Sequence, residues 1–262
     1  MINTDIIREK LENKKYLLGS HITGTDPQIA EIVGTYGVDY VWIDTEHTAM
    51  DKQTLLNHLI ALRVSSTPAF VRIPWNAPTL AKPILDMGAD GIIFPMIKTA
   101  EDARRAVSAC LYPPDGIRGF GPRRATRFGL DNTMEYIQSD SKKIFKLLQI
   151  ETREAVENIE EIARVPGVDV LVIGPMDLSG AYNKLAQTGD EEIQNVYRYV
   201  AKKAHEAHKP VLVSMGDYSC QGIRHWIEIG ADMITVGNEP GYITDGLKTT
   251  LKNAAVVFEE YS

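Results

Sequence analysis

Residues Tyr40 to Asp51, "YVWIDTEHTAMD", change character within a few positions. Tyr40–Ile43 is an unbroken apolar run, the pattern of a parallel strand covered on both faces. Asp44, Glu46 and His47 follow at once, and helical spacing then takes over from Asp51 to Ser65. A buried strand that ends in titratable side chains and hands over to a helix reads as one βα unit, with its polar residues at the strand's C-terminal edge.

The same alternation extends in both directions. Further strand candidates are Leu17–Ile22, Ala69–Ile73, Gly91–Pro95, Phe145–Ile150, Val168–Ile173, Pro210–Ser214 and Met233–Val236. Helix patterns lie at Asp26–Tyr36, Leu80–Met87, Thr99–Cys110, Arg153–Ala163, Glu191–Ala207, Cys220–Ile229 and Ile243–Tyr261. Asp26-Pro27 puts a capping carboxylate ahead of a first-turn proline, and Thr99 to Asp102 fits a capping box. Eight βα units in 262 residues predict an α/β fold, a (β/α)8 TIM barrel forming a single domain over residues 1–262. The rival is a doubly wound open sheet, but no Gly-x-Gly-x-x-Gly follows the first strand. The helical prefix Thr4–Asn13 is expected to close the bottom of the barrel.

Composition narrows the function. A net charge of -7 without a long basic run argues against nucleic acid. The N-terminus lacks the apolar core of a signal peptide, and no apolar stretch is long enough for a membrane span. With only Cys110 and Cys220, no disulfide framework is needed, so a reduced, cytoplasmic protein is expected. One segment breaks the βα rhythm: Leu111–Asn132, "LYPPDGIRGFGPRRATRFGLDN", rich in Pro, Gly and Arg. Phe120 and Phe128 make it an ordered loop that either covers the site or packs on a neighbouring subunit.

Active sites of such barrels sit at the C-terminal ends of the strands. There the second strand brings Asp44, Glu46 and His47, the third Arg72, the fifth Gln149 and Glu151, and the sixth Asp177, while "FPM" of the fourth offers backbone. Each has a structural alternative. Glu151 could cap the helix at Arg153, Asp177 could sit in an Asx turn, His47 could be a structural histidine, and Arg72 could pair with any nearby carboxylate. Their common rim favours function. Two carboxylates on adjacent strands suit a hard divalent cation, Mg²⁺ or Mn²⁺, whereas the Cys and His spacing for zinc is absent. Such a cation beside an arginine and a histidine favours a small 2-oxo acid, with His47 moving the proton.

Several stretches together resemble the class II, metal-dependent pyruvate aldolases of the HpcH/HpaI family, which act on substrates such as 4-hydroxy-2-oxoheptanedioate and 2-dehydro-3-deoxyglucarate. They are "DPQIAEIVGTYGVDYVWIDTEH", "VRIP", "LDMGADGIIFPMIKTAEDARRAV", "YPPDGIRGFG", "QIET" and "IGPMDLS". The resemblance implies a barrel whose last helix swaps onto a neighbour, in a homo-hexamer built as a trimer of dimers. It implies Glu151 and Asp177 as ligands of a divalent cation (Mg²⁺, Mn²⁺ or Co²⁺), His47 as base and Asp86 as the carboxylate that orients it. Arg72 would hold the pyruvate oxygen, Gln149 would contact substrate, and Asp44 would stand near the metal waters. Backbone N–H groups from Gly174 through Met176 to Asp177 would hold the pyruvate carboxylate.

The implied reaction is reversible aldol cleavage of a 4-hydroxy-2-oxo acid to pyruvate and an aldehyde. Departures from the family pattern fall at Arg123 and Arg124, at His21, and in "SMGDYS" after the seventh strand. The two arginines hint at an acidic aldehyde. Three other readings remain: a CoA-thioester lyase of the citrate lyase β or malyl-CoA lyase type, a Schiff-base aldolase using Lys98, and a non-catalytic barrel that binds a small acid. "VGNEPG" after the eighth strand reads as a turn.

Overall fold

Every apolar run becomes a strand because it is covered twice, by helices outside and by other strands' side chains inside. A computed structural model describes residues 4–261. Its strands are β1 (Leu17–Ile22), β2 (Tyr40–Asp44), β3 (Ala69–Arg72), β4 (Gly91–Phe94), β5 (Phe145–Ile150), β6 (Val170–Ile173), β7 (Val211–Met215) and β8 (Met233–Val236). They pair in parallel, in chain order, and β8 closes on β1 to complete the barrel. The predicted strands match these to within two residues at each end.

The barrel interior is filled by large side chains, among them Leu17, Tyr40, Trp42, Phe70, Phe145, Val172 and Leu212. At Gly19 a Cβ would run into the Tyr40 ring, so a residue without one is what lets that aromatic layer close. A second, larger core lies between strands and helices. Helix α1 (Asp5–Glu12) plugs the bottom as expected, since Ile7 is fully buried in the interior cluster. Arg8 pins it there by an ion pair to Asp169 at 2.9 Å and by stacking 4.2 Å over the Phe145 ring.

The remaining helices are α2 (Pro27–Thr35), α3 (Lys52–Ala61), α4 (Pro78–Asp86), α5 (Ala100–Cys110), α6 (Thr133–Gln138), α7 (Arg153–Glu157), α8 (Ile159–Ala163), α9 (Pro175–Ala181), α10 (Glu191–Glu206), α11 (Cys220–Ile229) and α12 (Glu239–Glu260). The Asp26 cap and the Thr99–Asp102 capping box form as read from sequence. The helix predicted over Arg153–Ala163 is two helices broken at Asn158, whose side chain bonds the Lys98 carbonyl at 3.0 Å. α6 and α9 were not foreseen, because each is too short for a periodic pattern to show. "VGNEPG" is more than a turn: Asn238 caps α12, which starts four residues before the predicted Ile243. Among the described residues no helix is long and apolar enough to cross a membrane.

The 111–132 loop is ordered but lies at the bottom of the barrel, after α5 and before β5. It therefore does not cover this chain's own catalytic face. Tyr112, Ala125 and Tyr136 form a small core beneath it, and the Arg118 side chain is fully buried between Asp86, 2.9 Å away, and the Tyr112 ring. Arg124 donates to the carbonyls of Met87 and Leu59. It thus ties the loop to the C-terminal ends of α3 and α4, and it cannot serve as a cation for an acidic substrate in its own barrel.

Candidate active site

Parallel register assembles the first half of the site. Asp44 and Arg72, the last residues of β2 and β3, are register partners, so their side chains emerge side by side. Arg72 donates from Nε to Asp44 Oδ1 at 2.9 Å and from Nη2 to Oδ2 at 2.6 Å, a two-pronged pair. Burial works against the Asp44 charge, but the hydrogen bonds and charge of Arg72 outweigh it and hold the carboxyl below its usual range. Nη1 of Arg72 reaches Glu46 at 3.0 Å, so the guanidinium bridges two carboxylates. Each terminal nitrogen keeps one N–H uncommitted to them.

Glu151 forms the other half. It follows β5, is 4% exposed, and accepts from the Met96 backbone N–H at 2.6 Å and from Gln149 Nε2 at 2.6 Å. The fourth strand thus contributes backbone, as expected. Capping of α7 falls to Thr152, which accepts from Ala155 N at 3.1 Å, so the cap reading of Glu151 does not apply. Burial pushes the Glu151 carboxyl up to about 7, and the charges of Asp177 and Glu46 push the same way. Glu46 is raised as well, first by burial and then by Asp44 and Asp177. Asp177 lies in the first turn of α9 and faces these two carboxylates. A Cβ on Gly174 would press to 3.2 Å from Glu151 Oε2, so a glycine keeps the approach to that oxygen open.

Glu151, buried and raised, feels the charges of Asp177 and Glu46, a burden that a divalent cation would relieve. Gln149 Oε1 is also buried without a partner. The oxygen-only donor set fits a hard cation. Among the described residues no group of three or more His, Cys, Asp or Glu is placed to hold a metal ion, so the carboxylates offered here are the pair Glu151 and Asp177.

Not every expected residue joins the cluster. His47 stands at the rim, its side chain 66% exposed, with Nε2 at 3.7 Å from Glu46. Asp86 ends α4 at the opposite, N-terminal side of the barrel and is engaged by Arg118, so the chain does not bring its own Asp86 to its own His47. Met176 is half exposed beside Asp177. Lys98 sits just before the α5 capping box, its backbone N–H tied to Asp102 at 3.2 Å. The sequence assigns Glu46 no role, yet in the structure it pairs with Arg72 and its charge acts on Glu151. Its position two residues past a strand end was the available signal.

The sequence and the fold agree with known proteins. The HpcH/HpaI aldolase/citrate lyase family model matches residues 17–239. A 5-keto-4-deoxy-D-glucarate aldolase of Escherichia coli (strain SE11) is 32% identical over 247 residues, spanning 92% of this chain and 94% of that protein. The crystal structure of an HpcH/HpaI aldolase from Desulfitobacterium hafniense DCB-2 superposes with a TM-score of 0.87 at 28% identity, covering 95% and 96% of the two chains. An HpcH/HpaI aldolase/citrate lyase family protein from Burkholderia cenocepacia J2315 gives 0.89 at 28% identity, covering 96% and 100%. With the barrel, the strand-end carboxylates and a family match over most of its length, this chain belongs to the HpcH/HpaI aldolase/citrate lyase family and is a carbon–carbon lyase.

Proposed function

We propose that the protein is a divalent-metal-dependent pyruvate aldolase, cleaving a 4-hydroxy-2-oxo acid reversibly to pyruvate and an aldehyde. The observation that carries this is the Glu151 carboxyl, buried just past β5, held by the Met96 N–H and Gln149, and close enough to Asp177, Glu46 and Arg72 to feel their charges. Glu151 and Asp177 would hold the cation, Mg²⁺, Mn²⁺ or Co²⁺. When bound, it supplies Lewis-acid polarisation of the substrate's keto group.

The chain's own residues do the rest. Met176 and Asp177 present first-turn N–H groups that have no intrahelical acceptor and can take the pyruvate carboxylate. The uncommitted N–H groups of Arg72 meet the keto oxygen and stabilise the charge that grows there. Asp44 locks the guanidinium plane, and Gln149 fixes Glu151, leaving its own buried Oε1 without a partner. His47 at the rim takes the C4 hydroxyl proton. The C3–C4 bond breaks, its electrons form the pyruvate enolate, and the aldehyde leaves. Protonation at C3 gives pyruvate.

Asp86 can orient His47 only from a second copy, because its own chain holds it at the other end of the barrel. The assembly we propose is therefore a homo-oligomer; the family resemblance implies a hexamer built as a trimer of dimers, and a cytoplasmic location with small-molecule partners only is part of the same proposal. The thioester-lyase alternative is disfavoured by the open cavity at this face: no lysine or arginine lines it to meet a CoA diphosphate.

Methyl-proton exchange of pyruvate, followed by NMR with added Mg²⁺ or Mn²⁺, tests the reading. The parent should exchange, chelation should stop it, and Glu151→Gln and Asp177→Asn should each abolish it while the fold persists. Near-normal exchange with tight metal binding in either variant refutes the ligand assignment. A requirement for acetyl-CoA would move the protein to the thioester branch.

A further inference from the structure

Beside the carboxylate cluster the catalytic face opens into a cavity of about 980 Å³, bounded by the ends of β1, β7 and β8 and reaching α10 and α11. Asp44 and Met176 line it, so it is continuous with the proposed pyruvate site. On its wall His21 of β1 meets Ser214 of β7, with Nε2 and Oγ 2.8 Å apart. The other ring nitrogen, Nδ1, lies 2.8 Å from the Gly237 carbonyl oxygen. A carbonyl can only accept, so Nδ1 carries the proton. Burial lowers the His21 pKa and Arg72 adds to the lowering, against smaller opposing effects of the Gly237 carbonyl, Asp44 and Glu239. The ring is neutral at pH 7, and Nε2 is an acceptor.

Ser214 has one hydrogen, and His21 takes it. The serine oxygen is thus left facing the cavity as an acceptor alone. Gln194 repeats the pattern: its Nε2 donates to the Thr188 carbonyl at 2.7 Å, while its Oε1 is buried on the cavity wall without a partner. Asp217 adds a carboxylate, and among the described residues no lysine or arginine lines the space. The Ser214 and Gln194 oxygens are acceptors without donors, which cost free energy unless a ligand brings them, and the nearby Asp217 charge disfavours an anion.

We propose that this cavity is the aldehyde subsite and that it selects an uncharged, hydroxylated aldehyde, whose hydroxyl donates to the Ser214 oxygen. This rests on the aldolase reading and replaces the acidic aldehyde suggested by Arg123 and Arg124. His21 acts as a positioning residue: by fixing the serine hydrogen it makes the subsite read donors and reject acceptors.

The test is kcat/KM for pyruvate addition to glyceraldehyde, to propionaldehyde, which has the same carbon chain without hydroxyls, and to succinic semialdehyde, which is anionic. Pyruvate proton exchange is followed in parallel. The parent should prefer glyceraldehyde over each of the others by about tenfold or more, the scale of one well-placed hydrogen bond. Ser214→Ala should collapse the glyceraldehyde to propionaldehyde ratio. His21→Phe, which frees the serine hydrogen, should raise succinic semialdehyde relative to glyceraldehyde. Preference for the anionic aldehyde, or ratios unmoved in both variants, overturns the subsite while exchange still upholds the aldolase. Loss of exchange in the parent overturns both.

Discussion

Glu151 shows how one carboxyl can be costly to the fold and necessary to the site. Its ordinary value is 4.5 and burial lifts it to about 7, a displacement corresponding to about 3 kcal/mol. The sign follows from linkage: the folded state holds this proton more tightly than the unfolded chain. The protonated carboxyl's contribution is fully present below about pH 4.5 and is lost as pH rises through about 7. Metal-free protein should therefore lose stability across that window, and Glu151→Gln should be the more stable protein at pH 8. Urea melts of both proteins with chelator present check this, and equal stability at pH 8 would count against the raised carboxyl. Arg72 belongs to the same scale. Three of its nitrogens engage Asp44 and Glu46, and no ammonium reproduces that planar arrangement. Arg72→Lys should lower kcat/KM for aldol cleavage by at least about 10²-fold, the scale of a lost oxyanion donor. Unchanged kinetics would remove the guanidinium from the mechanism. In the sequence, both residues were legible as strand-end polar groups. The two-pronged pair with Asp44 was not, since it depends on register between strands far apart in the chain.

Among the elements, α1 is short and amphipathic, and it seals the barrel floor with a single deep contact. Ile7 is fully buried against Leu17, Tyr40 and Phe145. Ile7→Ala should cost about 2–5 kcal/mol by leaving a cavity at that floor. Thermal unfolding measures it, and a cost under about 1 kcal/mol would show that the plug contributes little. This element was readable from spacing alone, as were the capped starts of α2 and α5, because their signals lie within a few consecutive residues. α9 was not readable. Its seven residues, PMDLSGA, are set by the turn out of β6, and that turn is what aims Asp177 at Glu151.

At the scale of the whole molecule, α12 stands apart from the barrel it follows. Glu239, in its first turn, is its buried member and receives hydrogen bonds from Thr23 and Gly24. Further along, Ile243, Leu247 and Leu251 recur every fourth residue at 60%, 57% and 70% exposure. In the oligomer proposed above, this stripe would be the surface that another copy covers, in keeping with the exchanged last helix implied by the family resemblance. The double substitution Leu247→Asp and Leu251→Asp should convert the assembly to smaller species in sedimentation velocity. It should also slow aldol cleavage, because the proposed role of Asp86 at His47 requires a second copy. A parent that already sediments as a monomer would sink the oligomer and with it the part proposed for Asp86. What the sequence by itself determined was the eight-fold alternation, the rim of polar strand ends and the carboxylate pair suited to a hard cation, all of them local patterns along the chain. Only the tertiary structure decided that Glu46 joins the cluster, that Thr152 and not Glu151 caps α7, and that Asp86 and the 111–132 loop face away from the site. The reason is physical: a strand's direction and its partner's register fix which end of the barrel a residue occupies, and neither is written in any single stretch.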